Sequence, residues 1–185
     1  MMDKIVFVGR SNVGKSSTIK MLTGAKVRVG RRPGMTLEPN FVQYGEYTIV
    51  DMPGFGFMQG VSKKRQEKIK DFIVHYLEHS EEIAFAVQII DAKAFAEIAE
   101  RWDKRGMIPI EVEMFQFLKE VGLNPIVVCN KMDKVERNEW SERLQVIASW
   151  LNVTRDVSSV LIPFSAKKGV GLNELKLMLR SRMVD

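Results

Sequence analysis

The stretch KIVFVGRSNVGKSS, Lys4 to Ser17, opens with an apolar run and closes with two glycines, a lysine and hydroxyls in tight order. Lys4–Val8 predicts a strand, and Ser16 to Thr23, stopped by Gly24, predicts a helix. The intervening GRSNVGKS fits G-x-x-x-x-G-K-[ST], and a strand before and a helix after turn that pattern into a phosphate cradle. Gly9 and Gly14 permit close wrapping, so that backbone N–H groups along Arg10, Ser11, Asn12 and Val13 face anionic oxygens. The helix adds its positive end. Lys15 is expected on the β- and γ-phosphates as a catalytic cation, Ser16 on Mg²⁺, and Ser17 on the α-phosphate.

A cradle alone does not choose the base. That choice comes from NKMD, Asn130 to Asp133, directly after the apolar run PIVVC. Guanine presents two adjacent donors, N1–H and the 2-amino group, and adenine has no such pair. Asp133 can accept both in one charge-assisted, bidentate contact. Asn130 donates to N7 and braces the loop, and Lys131 lays its methylenes over the base plane. FSAKKG follows the last candidate strand; there the Ala166 N–H can donate to O6, Ser165 can support Asp133, and Lys167 is expected in the nucleotide-binding set. A site losing such bonds on the wrong base discriminates by ~10⁴-fold. Guanine nucleotide, GTP or GDP, is the expected ligand; a kinase using ATP would place Asp133 against the wrong base edge.

DMPG, Asp51 to Gly54, follows another strand. Asp51 is expected to hold Mg²⁺ through water, and the Gly54 N–H to bond a γ-phosphate oxygen when that phosphate is present. Thr36, in the Gly/Pro/Arg-rich RRPGMT, is expected to close over Mg²⁺ and the γ-phosphate. The expected catalytic set is therefore Lys15, Thr36 and Gly54, the expected metal set Ser16, Thr36 and Asp51. The Thr36 and Gly54 segments are candidate switches, ordered with GTP and released after hydrolysis.

The 185 residues suit one domain, 1–185. Further strands are predicted at Asn40–Tyr44, Tyr47–Asp51, Ile83–Asp91, Pro125–Cys129 and Val160–Phe164, with a hairpin at YGEY giving one antiparallel pair. Helices follow from apolar stripes: Ile69, Phe72, Ile73, Tyr76 and Leu77; Met114, Phe117, Leu118 and Val121; Trp140, Leu144, Ile147 and Leu151; Leu172, Leu175 and Leu179. Alternating strands and helices imply an α/β fold with a largely parallel sheet.

One cysteine, Cys129, excludes an internal disulfide framework and is expected as a small core residue in a reducing compartment. His75 and His79 are expected as surface or capping residues. No leader pattern and no run near ~20 apolar residues appears, so a cytoplasmic protein without membrane contact is expected. Net charge is +5, with basic clusters at Lys26, Arg28, Arg31 and Arg32, at Lys63, Lys64, Arg65, Lys68 and Lys70, and near the C-terminus. Such a balance favours polyanionic partners, RNA among them; the alternative is solvated faces with salt-bridge partners.

Together GRSNVGKSS, RRPGMT and DMPGFGF resemble the EngB (YihA/YsxC) GTP-binding proteins among the Era-like small GTPases, over nearly the whole chain. The resemblance implies a three-layer P-loop G domain with a six-stranded sheet flanked by helices. For bacterial members it implies a part in assembling the large ribosomal subunit. NKMD stands where bacterial members carry TKAD, Phe55 and Phe57 where they carry Tyr, and the segment 92–113 is longer; these departures point to an archaeal-type branch.

Ras-like switches place a glutamine after the DxxG glycine to orient water; here Phe55 can neither donate nor accept. Hydrolysis is expected to be slow, since even a glutamine-bearing switch runs unassisted at about 10⁻⁴ s⁻¹. Asn12 matches the cradle asparagine of potassium-activated GTPases, where K⁺ sits against the phosphates; the alternative is a loop asparagine bonding its own backbone. Arg10 as an internal finger is disfavoured, because its side chain is expected to point away from the phosphates. The expected function is a monomeric GTPase switch on a ribosomal particle or its rRNA, with no DNA partner. The alternative is a GTP/GDP-dependent adaptor for a protein.

Overall fold

The computed structural model describes residues 3–24, 38–56, 58, 60–80 and 82–183. Its frame is one six-stranded sheet of order β2-β3-β1-β4-β5-β6. The strands are β1 (Lys4–Gly9), β2 (Asn40–Tyr44), β3 (Tyr47–Asp51), β4 (Ile83–Asp91), β5 (Ile126–Asn130) and β6 (Leu161–Pro163). All neighbours run parallel except β2 and β3, which form the hairpin at Gly45, where φ is +61°. A left-handed residue in a two-residue turn lets the strands keep their twist.

Strand periodicity sorts the core into two layers. Ile5 and Phe7 of β1 and Ile126 and Val128 of β5 face α1 (Lys15–Thr23) and α6 (Leu172–Met183), through Ile19, Leu22, Leu175 and Leu179. Val6 and Val8 face the other side, against Ile69, Ile73 and Leu77 of α2 (Lys63–His79) and Met114 and Leu118 of α4 (Ile110–Glu120). Val127 and Cys129 of β5 meet α3 (Phe95–Asp103) and α5 (Trp140–Trp150) on that same side. The sheet is thus sandwiched between helices.

Strand positions agree with the sequence reading to within one residue at either end. Two features differ. Helix α3, within the long 92–113 segment, was not anticipated; its inward residues Phe95 and Ala99 are four apart, a stripe too short to stand out. Phe72, assigned to a buried stripe, is 37% exposed, because Ile69, Ile73 and Leu77 fill the α2 contact. His75 and His79 are exposed, as expected; they stack with ring centroids 4.2 Å apart, and His79 Nδ1 lies 2.9 Å from the His75 carbonyl oxygen at the helix end. No helix among the described residues is long and apolar enough to cross a membrane.

Candidate nucleotide site

Every segment expected to hold nucleotide, where described, lies at one end of the sheet, beyond the C-terminal ends of β1, β3, β5 and β6. Open parallel sheets place ligands there, because the helices that follow their strands aim their N-termini at the same crevice.

The phosphate loop runs from Gly9 to Gly14 into α1. A Cβ on Gly9 would stand 2.7 Å from the Ile89 carbonyl oxygen, so the loop leaves the sheet flush against β4. Gly14 has φ +96° and lies so near the Asn130 carboxamide that a Cβ would overlap Nδ2. Glycine is required at both places for different reasons: close strand approach at one, a left-handed backbone at the other. Lys15, 9% exposed at the head of α1, pairs with Asp51 Oδ1 at 2.6 Å. The Ser16 hydroxyl donates to Asp51 Oδ2 at 2.7 Å. A carboxylate and a hydroxyl side by side are hard oxygen donors of the kind that suits Mg²⁺.

The second candidate switch is pinned to this loop. Beyond the Phe7–Asp51 pair, the strand from β3 bows out by one residue and rejoins at a bridge between Arg10 and Phe55. Ser11 N–H donates to the Phe55 carbonyl (3.1 Å), and Phe55 N–H donates to the Gly9 carbonyl (3.3 Å). Gly54 then lies so close to Ser11 that a Cβ would stand 2.9 Å from its Cα. The Phe55 ring, 2% exposed, packs into the core with α2 and α4 rather than into the phosphate region. Arg10 sends its guanidinium to Glu111 on α4, at 3.1 Å. Asn12 is exposed with φ +66°, and its carbonyl accepts from Lys131 Nζ at 2.7 Å.

A cleft of about 240 Å³ beside the loop is lined by Gly14, Ser17, Asn130, Asp133, Ala166 and Lys167, among others. Its walls are cross-linked. Asn130, 2% exposed, donates from Nδ2 to the Val13 carbonyl (2.7 Å) and accepts from Ala166 N–H at Oδ1 (3.0 Å). Ser165 Oγ donates to Asp133 Oδ1 (2.6 Å), fixing that carboxylate, and itself accepts from Lys168 N–H (3.1 Å). Lys131, held at φ +67°, also pairs with Asp91 Oδ2 at 2.6 Å.

Thr36 lies outside the described residues, as do Phe57 and the basic residues Lys26, Arg28, Arg31 and Arg32. Three further participants were not singled out in the sequence. Lys134 also lines the cleft. Asp91 accepts from the N–H groups of Lys93 and Ala94 while holding Lys131; an aspartate ending a strand before a helix was the available signal. Glu111 is separated from Arg10 by a hundred residues and carries no local signal.

Comparison with known proteins places this geometry among its relatives. A sequence profile described as 50S ribosome-binding GTPase matches residues 4–131. The probable GTP-binding protein EngB of Methanopyrus kandleri is 53% identical over 188 residues, covering 98% of this chain and 93% of that protein. Its namesake from Methanosarcina mazei is 51% identical over 184 residues, covering 97% and 88%. A crystal structure of a probable GTP-binding protein engB superposes with a TM-score of 0.90 at 45% identity, covering 98% of both chains.

Proposed function

Because this chain belongs to the EngB family of GTP-binding proteins, we propose that it is a slow GTPase whose nucleotide state governs its attachment to a precursor of the large ribosomal subunit. The observation that carries the reading is the Ser165–Asp133 bond, which presents a fixed carboxylate to a cleft whose other wall is the phosphate-loop residue Gly14. A base edge with two donors and a phosphate tail are recognised within one continuous surface.

In this reading Asp133 accepts the paired guanine donors, Lys131 covers the base, and the phosphate loop with Lys15 receives the phosphates. Ser16 and Asp51, joined by Thr36, would hold Mg²⁺, which when bound neutralises charge on the phosphates. Lys15 then leaves Asp51 for phosphate oxygens, and Gly54 N–H senses the terminal one. Hydrolysis is slow because the side chain after Gly54 is buried in the core and orients no water. Asn12, exposed beside the loop, is the position at which K⁺ would supply the missing positive charge.

The exposed lysines of α2, Lys63, Lys64, Lys68 and Lys70, follow the second switch and support an RNA-rich partner. The test is co-sedimentation with ribosomal particles, with the protein loaded with GDP or a non-hydrolysable GTP analogue. Retention that differs between the two states and falls with salt is expected. Absence of association in both states overturns the ribosomal role and favours a protein adaptor.

A further inference from the structure

At the opposite end of the sheet, where β5 and β6 begin, a second cleft of about 310 Å³ opens between the C-terminal ends of α4 and α6 and the turn after α5. Its floor is apolar: Phe115, 3% exposed, with Pro125, Val153 and Val160. Its rim is cationic, with Lys119, Arg155 and Arg182, and no acidic residue lines it. Among the described residues none of these three cations forms a salt bridge. Lys119 Nζ hangs 5.9 Å from the Phe115 ring centroid, and Arg182 Nη1 reaches only the Asn124 carbonyl, at 3.5 Å. Asn124 and Asn152, both in left-handed turns at φ +38° and +55°, add carboxamides at the edge.

Three like charges around one depression repel one another until an anion joins them. An apolar floor, amide edges and a cationic rim are the parts from which single strands are held: a base against the floor, phosphates on the rim. We propose that this cleft binds single-stranded RNA. The inference rests on the ribosomal reading above and adds to it a contact that does not depend on the bound nucleotide. The cleft shares no residue with the phosphate loop, the Gly54 segment or the guanine-facing cleft. The protein therefore holds its particle at two ends, one sensitive to the nucleotide and one indifferent to it.

The test is fluorescence anisotropy with a labelled single-stranded RNA of about 12 nucleotides, on the full chain loaded with GDP or with a GTP analogue. Lys119→Glu/Arg155→Glu is expected to weaken binding about tenfold or more in both states. It should also flatten the dependence of log K on log salt by about 1.4, for two lost phosphate contacts. GDP affinity, unchanged, shows that the variant folds; the milder Arg155→Gln should show a smaller loss in the same direction. The proposal is overturned if the wild type binds the strand and the variants stay within about twofold of it. Binding of a duplex as tight as that of the strand overturns it too, as does full displacement by inorganic phosphate at equal ionic strength. A wild type that binds no RNA removes the cleft assignment, whereas particle sedimentation judges the ribosomal reading separately.

Discussion

The Arg10 guanidinium, from the phosphate loop, and the Glu111 carboxylate, from the first turn of α4, meet at 3.1 Å with Glu111 only 3% exposed. Gly56 lies beneath the arginine: a Cβ there would stand 3.2 Å from Arg10 Nε. The pair therefore clamps the second switch between the loop and α4. Gln88 Nε2 donates to the Glu111 carbonyl at 2.7 Å, anchoring the same turn to β4.

Removing one member of a buried pair leaves the other charge without compensation. Arg10→Met is expected to destabilise the protein by about 3 kcal/mol, and Arg10→Met/Glu111→Leu by less than the sum of the single variants. Urea denaturation of the four proteins in the cycle measures this. Additive losses would show that the two charges act independently.

In the proposed site, Asp133→Asn exchanges an acceptor for a donor against the guanine N1–H and amino group. GDP affinity should fall about a hundredfold, and xanthosine diphosphate should bind better than to the wild type. Ser165→Ala, which frees the carboxylate from its 2.6 Å bond, should cost about tenfold without a change of base preference. Titration calorimetry with the three diphosphates decides; ADP bound as firmly as GDP by the wild type would refute the base assignment.

Phe55 fills the core instead of addressing the phosphates. Phe55→Ala should therefore lower stability by about 3–5 kcal/mol. Phe55→Gln should bury an amide and destabilise without raising the single-turnover rate of GTP hydrolysis. A faster Phe55→Gln variant would mean that this position reaches the attacking water.

Potassium provides a separate check on Asn12. Turnover in K⁺ is expected to exceed turnover in Na⁺ at equal ionic strength, and Asn12→Ala should remove the difference. Equal rates in the two salts would leave Asn12 as a loop residue whose carbonyl serves Lys131.

Burial pushes the Cys129 thiol pKa up, so the folded chain keeps this proton where an unfolded chain loses it. The unfolded thiol titrates near pH 8.5, so folded stability from this group declines as pH rises beyond that value. Iodoacetamide at pH 8.5 should leave Cys129 unmodified in the native protein and alkylate it in urea, as mass spectrometry would record. Rapid labelling of the native chain would contradict the packing of β5.

Much of this architecture is written locally. Each strand announces itself by an apolar run, and each nucleotide segment follows one, so chain order alone brought Gly14, Asp51, Asn130 and Ser165 to the same sheet end. Local pattern fails where the partner is remote. Phe55 reads as a switch residue, yet its ring is claimed by α2 and α4; Phe72 reads as core, yet three neighbouring aliphatics complete that contact without it. The Arg10 side chain reads as turned away from the phosphates, and so it is, but no nearby residue betrays its bond to Glu111. Helix α3 offers only two inward residues, too few for periodicity to register.

The Asn130 carboxamide ties the loop before α1, through Val13, to the segment after β6, through Ala166. In the proposed reading, head and tail of a guest would consequently be weighed together through one buried side chain. A shift of either wall would thus be passed to the other, and a guest ill-fitted at its base would disturb the seat of its own phosphates.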